Sequence, residues 1–375
     1  QSGTLCGSNE ARMKFYDPAT VAQLETFDEV IDVRSPAEYA LDHIPGAINA
    51  PVLDDAQRVQ IGTLYKQVSP FAARRLGAAL VARNIGTHIE QLFQNKDKSW
   101  RPLVYCWRGG QRSGAMTHVL RQIGWQASQL AGGYKSFRRE VVAQIDERAG
   151  HFRYIVLCGE TGSGKSRLLE ALTTQGEQVL DLEALACHRG SVLGQLPQTP
   201  QPSQKHFETQ LWDGLRKLDA SRPVYVEAES KKIGVLRVPD TLMEAIRNAE
   251  CVQLQVALAE RVRFLLDEYH FFVADPARLT QQLDCLRPLY GNETIAKWSA
   301  QIAAGEWQAL VTELLIAHYD PLYRRSTQRN FVRLQEATHL NLIALTAEEL
   351  RSAAAELAAR MNAAEPTLLM PAIPQ

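Results

Sequence analysis

Two short stretches of this 375-residue chain carry residue types that do chemistry on anions. The first is Gly159-Glu160-Thr161-Gly162-Ser163-Gly164-Lys165-Ser166, the G-x-x-x-x-G-K-S spacing of a phosphate-binding loop. Gly159, Gly162 and Gly164 let the backbone curl with its N–H groups inward, and Thr161 and Ser163 count among the binding residues of the same loop. Lys165 adds a full positive charge, and the Ser166 hydroxyl is of the kind that holds Mg²⁺. From the loop alone, a nucleotide and another diphosphate are equally good ligands. The second stretch is Cys106-Trp107-Arg108-Gly109-Gly110-Gln111-Arg112-Ser113. A cysteine heading a Gly-rich loop that runs into a helix is favoured as thiolate by the N–H groups, by the helix N-terminus and by Arg108 and Arg112. Such a thiolate suits attack on a sulfur, selenium or phosphorus centre carried by an anion. Cys158 has the opposite profile and reads as a core residue.

Further candidates sit at strand ends. Asp181 and Glu183 close one apolar run, and Glu227 and Glu229 close another. In a P-loop protein an acid there can hold the Mg²⁺ shell; Glu227 and Glu229 are favoured. His188-Arg189 and Lys231-Lys232 follow the same edges and are candidates for contact with a phosphate or an RNA backbone. No metal-ligand spacing is present, and no N-K-x-D follows the loop.

Elements must position these groups. Tyr154–Cys158 reads as a buried strand before the P-loop and Arg167–Leu172 as a helix after it. Glu29–Arg34 and Pro102–Tyr105 read as strands; Ser35-Pro36-Ala37-Glu38 caps a helix, and another helix runs from about Gly114 to Gln122. Alternating strands and helices predict an α/β chain with parallel sheets covered on both faces. The expected domains are residues 13–145, residues 151–345 with a helical C-terminal part, and a helix with a loose Pro-rich tail over 346–375. Residues 1–12 read as a tag remnant or frayed terminus. Lys66, Arg74 and Arg75 belong to a helical insertion, read as a solvated face or an RNA surface.

Composition is ordinary for a globular chain, 45 % hydrophobic and 22 % charged, with a formal net charge of −1. A polyanion must therefore meet a local basic patch. Six cysteines without C-x-x-C pairs fit a reducing cytoplasm. No apolar run reaches the roughly 18–20 residues of a membrane span, so no membrane partner is expected.

Residues 13–145 resemble the rhodanese family, on Ile31-Asp32-Val33-Arg34, Glu38-Tyr39, His43-Ile44-Pro45-Gly46-Ala47-Ile48-Asn49, the Cys106 loop and Gly132-Gly133-Tyr134. One departure is the C-x5-R spacing of Cys106 and Arg112, longer than in many simple sulfurtransferases and like that of rhodanese-fold phosphatases. With the P-loop domain, Asp181–Ser191, Glu227–Ser230 and Tyr319–Tyr323 added, nearly the whole chain is similar to the bacterial tRNA 2-selenouridine synthase family. That resemblance implies a rhodanese-like domain joined to a P-loop NTPase-like domain. It implies wobble 2-thiouridine, presented on a tRNA anticodon stem-loop, as the target. A geranyl group from geranyl diphosphate is placed on the sulfur, and selenium from selenophosphate then displaces it. Cys106 would take the selenium, a selenophosphate-supplying enzyme would be a partner, and no cofactor would be tightly bound, Mg²⁺ being possible. The competing expectations are an ATP-dependent sulfurtransferase or kinase, and a non-catalytic nucleotide- or RNA-binding regulator. Oligomeric state is open.

Overall fold

The computed structural model describes residues 18–191 and 193–363. The frayed start, Cys6 and the Pro-rich tail expected from the sequence lie outside the described residues. The chain divides into two compact units. One runs to Gln144 and includes Ser203–Asp213; the other comprises Ile145–Pro202 and the chain from Gly214. The sequence groups 203–213 with the P-loop segment, whereas in three dimensions it packs with the first unit.

The first unit holds a four-stranded sheet ordered β2-β1-β3-β4, with β1 Glu29–Asp32, β2 Ile48–Asn49, β3 Pro102–Tyr105 and β4 Ser128–Gln129. All its pairings are parallel. Strand β3 is wholly buried, as a strand covered on both faces must be. Ile31, Val33, Val104, Met116 and Leu120 form the core between the sheet and helix Gln111–Ile123. That helix begins three residues earlier than its hydrophobic pattern suggests, its first turn closed by the Gly114 N–H on the Gly110 carbonyl at 2.9 Å. Helix Pro36–Leu41 starts as expected at the Ser35 capping box closed by Glu38. The insertion is a pair of helices, Asp55–Gln67 and Pro70–His88, with Lys66, Arg74 and Arg75 all exposed.

The second unit holds a five-stranded parallel sheet ordered β11-β10-β5-β7-β6. Its strands are β5 Tyr154–Cys158, β6 Gln178–Leu180, β7 Val224–Glu227, β10 Glu250–Val256 and β11 Thr338–Leu342; β8 Lys232–Ile233 and β9 Leu236–Arg237 form a separate hairpin. Strand β5 is central and fully buried. Helices Lys165–Thr174 and Ala347–Ala363 cover one face through Leu168, Leu172, Ala354 and Leu357. A helical part spanning Leu258–Asn330 has its own apolar cluster around Trp298, Phe272, Leu279 and Leu310. Among the described residues no helix is long and apolar enough to cross a membrane.

Candidate functional site

The P-loop follows β5 at the carboxyl edge of its sheet. Thr161, Gly162, Ser163, Gly164, Lys165 and Ser166 line one cavity of about 580 Å³ together with Asp181, Glu183, His188, Arg189 and Glu229. Gly162 and Gly164 have φ of +82° and +78°, and a Cβ at either would lie 2.8 Å from a leucine side chain, so glycine is required at both. Lys165 Nζ donates to the Gly159 carbonyl at 2.7 Å, which holds it across the mouth of the loop.

The carboxylates are layered. Ser166 Oγ donates to Glu183 Oε2 at 2.9 Å, and the Glu183 N–H donates to Glu227 Oε1 at 2.8 Å. Glu183, ranked behind Glu227 and Glu229 in the sequence, is thus the acid that the P-loop serine touches. The reason is local: Asp181 caps helix Leu182–Ala186 by accepting from the Ala184 N–H at 2.8 Å, and the cap turns Glu183 back toward the loop. Glu227 is 1 % exposed and lies beneath the cavity, its Oε2 without a partner. Burial and then the neighbouring Asp181, Glu183 and Glu229 charges push its carboxyl well above the usual range. The same two causes, burial then Glu183, push Glu229 up to about 8. Asp181 rises to about 6, chiefly through burial. Carboxylates crowded beneath the P-loop cavity thus hold protons that isolated carboxylates would release.

Arg189 and Lys231 are already paired, and His188 is buried. Arg189 donates to Glu268 at 2.6 Å and stands over the Tyr269 ring. His188 is buried, and burial lowers its pKa toward the neutral form. Lys231 pairs with Asp240 at 2.7 Å. These contacts explain why strand-end position alone is a poor guide to an anion-binding charge.

In the first unit Cys106 directly follows β3 and is 3 % exposed. Ser113 Oγ donates to its sulfur at 3.1 Å and the Gly110 N–H at 3.3 Å. Burial raises the thiol pKa, but the Ser113 hydroxyl and the N–H groups of Ser113, Gly110 and Arg108 outweigh it, and the net shift is downward. The sequence also assigned part of this lowering to the charges of Arg108 and Arg112. The Arg112 guanidinium instead donates to Glu38 at 2.9 Å, and Arg108 is exposed. Backbone and hydroxyl groups carry the effect. The loop is seated on Gly132-Gly133-Tyr134: a Cβ on Gly133 would lie 2.3 Å from the Cys106 carbonyl, and the Tyr134 N–H donates to that carbonyl at 2.8 Å.

A model of the tRNA 2-selenouridine synthase AAA domain matches residues 152–284, and one of the rhodanese-like domain matches residues 18–140. The tRNA 2-selenouridine synthase of Cupriavidus pinatubonensis is 32 % identical over 335 residues, which cover 81 % of this chain and 90 % of that protein. The chain belongs to the tRNA 2-selenouridine synthase family. The family member from Alcanivorax borkumensis is 36 % identical over 71 % of this chain and 73 % of its own. That from Nitrosomonas europaea is 38 % identical over 64 % of this chain, and the match spans 63 % of that relative's length.

In this member of the family Tyr323, Gln129, Thr209 and Lys205 had no sequence-derived role, and Arg261 was read only as a residue that could face an anion or be paired. Tyr323 accepts the Gly159 N–H at 2.6 Å, and its ring lies 5.1 Å from Lys165 Nζ. Arg261, 2 % exposed, donates to the Thr161 carbonyl at 2.9 Å and to Glu160 and Asp320, tying the loop to helix Asp320–Asn330. The sequence signal of Tyr323 and of Asp320 was Tyr319-Asp320-Pro321-Leu322-Tyr323, a motif without an assigned chemistry; Arg261 lies outside it. Near Cys106, Gln129 Nε2 donates to the Ser113 oxygen at 2.8 Å and to the Gly109 carbonyl at 2.6 Å, bracing the cradle from β4. Segment 203–213 adds Thr209, which donates to the buried Asp42 at 3.1 Å. It also adds Lys205, whose ammonium lies 5.8 Å from the centre of the Trp107 ring.

Proposed function

We propose that this protein replaces the sulfur of 2-thiouridine in tRNA by selenium in two stages, using one cradle for each. The observation that carries the reading is that one chain of this family holds both a diphosphate loop and a thiol tuned toward thiolate. In the first stage the thiocarbonyl sulfur attacks C1 of geranyl diphosphate. The C1–O bond breaks and pyrophosphate leaves. Lys165 and the N-terminus of helix Lys165–Thr174, at the edge of the P-loop cavity, are suited to binding that diphosphate and stabilising it as it departs. Alkylation turns a poor leaving group into a thiol that departs as a neutral molecule. In the second stage Cys106, drawn toward thiolate by the Ser113 hydroxyl and the loop N–H groups, handles selenophosphate. A selenophosphate-forming enzyme is then a partner, and the tRNA anticodon stem-loop the macromolecular substrate.

Mg²⁺ fits the P-loop residues. Glu227 Oε2 is buried without a partner, and Glu229 is pushed up to about 8 by burial and Glu183. Among the described residues no ready set of three His, Cys, Asp or Glu ligands exists. Ser166 and Glu183 would hold the ion, with diphosphate oxygens and water completing its shell. Bound there, it would neutralise charge on the leaving diphosphate. The same carboxylate layer would also serve a Mg²⁺–ATP complex, which keeps an ATP-dependent reading alive. The deciding experiment offers a 2-thiouridine stem-loop with geranyl diphosphate, selenophosphate or ATP to the intact chain, Lys165→Ala and Cys106→Ala. Geranylation lost only in Lys165→Ala and selenation lost in Cys106→Ala are expected. ATP hydrolysis with no geranyl transfer would overturn the reading.

A further inference from the structure

Residues 56–89 hold five cationic side chains, Arg58, Lys66, Arg74, Arg75 and Arg83, and no carboxylate, in a chain whose net charge is −1. They form the helical insertion of the first unit, helices Asp55–Gln67 and Pro70–His88 packed on each other. Gly77 is buried, and a Cβ on it would lie 3.7 Å from the Ile61 side chain, so the two helices approach closely. The foot of the pair is fixed. Asn84 Nδ2 donates to the Val52 carbonyl at 3.0 Å, the His88 ring bonds the Pro51 carbonyl at 2.9 Å, and Ile85 joins the core of the first sheet. Arg58 is spent on Glu38 at 2.8 Å, the same carboxylate that takes Arg112 of the Cys106 loop. The foot therefore stands beside that loop.

The far end has the opposite character. Lys66, Arg74 and Arg75 are exposed, and among the described residues no carboxylate pairs with any of them. Around the turn between the helices, Tyr65, Val68 and Phe71 are each more than half exposed. Among the described residues every other phenylalanine, tyrosine and tryptophan is buried or half-buried. The two exposed rings thus share one turn, with Lys66 and Arg74 close by in the chain. Along helix Pro70–His88 the exposed residues Phe71, Arg74, Arg75, Ala78 and Ala82 fall on one stripe, where the alanines leave room for a close approach. Unpaired cations attract an anion, and exposed rings attract flat faces; a nucleic-acid strand supplies a phosphate and a flat face at every step. A second copy of the hairpin would set cations against cations with no acid to meet them. We propose that the tip of this hairpin docks the RNA substrate, with Lys66, Arg74 and Arg75 holding backbone phosphates and Tyr65 and Phe71 stacking on unpaired bases. This rests on the reading of tRNA as the macromolecular substrate given above, and adds the surface that holds it outside the two reaction centres.

Fluorescence anisotropy of a labelled, unmodified tRNA transcript titrated with the full chain over a series of salt concentrations tests it. The triple variant Lys66→Ala, Arg74→Ala, Arg75→Ala should bind about tenfold or more weakly at physiological salt, and its slope of log affinity against log salt should be shallower by about 2. Phe71→Ala should bind about fivefold more weakly with the slope unmoved, as the loss of one base stack requires. Both variants should keep the wild-type melting temperature and the wild-type rate of Cys106 alkylation, because the altered side chains are exposed. If the triple variant melts lower, Lys66→Ala decides through a slope shallower by about 0.8. Triple-variant affinity within about twofold of wild type, or a loss with an unchanged salt slope, overturns the proposal and leaves the tRNA reading standing. Self-association of the wild type that the triple variant abolishes, with tRNA binding intact, overturns it in favour of a second copy. A wild type that binds no tRNA overturns the substrate reading itself, and the proposal with it.

Discussion

Cys106 and Cys158 stand at the same kind of place, where a central parallel strand gives way to a Gly-rich loop and then a helix, yet their thiols are shifted in opposite directions. Cys106 is drawn down because its sulfur faces the loop, where Ser113 and three N–H groups outweigh the cost of burial. Cys158 is driven up by the thiol of Cys251 and by burial, because its side chain faces the sheet interior at the point where β5 pairs with β10. The two loops differ accordingly. The Cys106 loop spends its N–H groups on its own sulfur and stabilises an anion built into the protein. The P-loop gives its Gly159 N–H to Tyr323 and its Ser163 N–H to the Glu160 carbonyl, and lines an open cavity with Lys165 and a layer of carboxylates. A shared strand–loop–helix design therefore yields a thiol tuned toward thiolate in one unit and a thiol held in the neutral form beneath a Lys-bearing cavity in the other.

Four experiments break or sharpen this contrast. The largest effect is expected from Lys165→Ala, which removes the charge held over the P-loop by the Gly159 carbonyl. Prenyl transfer should fall by about 100-fold or more, while the rate of Cys106 alkylation by iodoacetamide stays within twofold. A parallel fall in alkylation would mean the loops do not act separately. Next is Arg261→Ala, which leaves Asp320 and Glu160 without the buried guanidinium that pairs with both. Denaturant unfolding should register a loss of about 3 kcal/mol. A loss under about 1 kcal/mol would show that the P-loop needs no external clamp.

Ser113→Ala tests the other cradle. It deletes the first-ranked contribution that lowers the Cys106 pKa, so the alkylation-versus-pH curve should move to higher pH. The rate at pH 7 should drop about tenfold, with the plateau at high pH unchanged. An unmoved midpoint would assign the thiolate to the arginines after all. The smallest effect is expected from Glu229. Its folded pKa, about 8, lies above the ordinary carboxyl value of 4.5, so between those pH values the folded state binds more protons than the unfolded one. Stability therefore falls as pH rises through that window, and below about 4.5 the penalty is absent. Glu229→Gln should raise the melting temperature at pH 8 by about 2 °C and flatten the pH dependence. Saturating Mg²⁺ and pyrophosphate should do the same to the wild type. A variant that melts lower at pH 8 would remove the carboxylate-repulsion account.

Much of this was legible in the chain. The P-loop spacing and the strand before it were readable because the chemistry is local: three glycines, a lysine and a serine need no distant partner to make a cradle. The Ser35–Glu38 cap, strand Pro102–Tyr105 and the Cys106 loop were readable for the same reason. The sheet orders were not, since which strands become neighbours is settled by packing of residues far apart in sequence. The choice of Glu183 over Glu227 as partner of Ser166 depended on a helix cap turning one carboxylate toward the loop. The pairing of Arg112 with Glu38, 74 residues away, took from Cys106 a charge that sequence proximity had offered it. Tyr323 reached Gly159 across 164 residues, and segment 203–213 joined the first unit. An apolar cavity in the helical part was wholly a tertiary product, because its walls Leu265, Phe272, Leu279 and Trp307 are ordinary core-forming residues on separate helices. The sequence by itself determined which reactive residue types stand together in each loop, through short-range spacing; the tertiary structure alone decided where each side chain points and which charges are already spent, because those depend on contacts between residues that the chain keeps far apart.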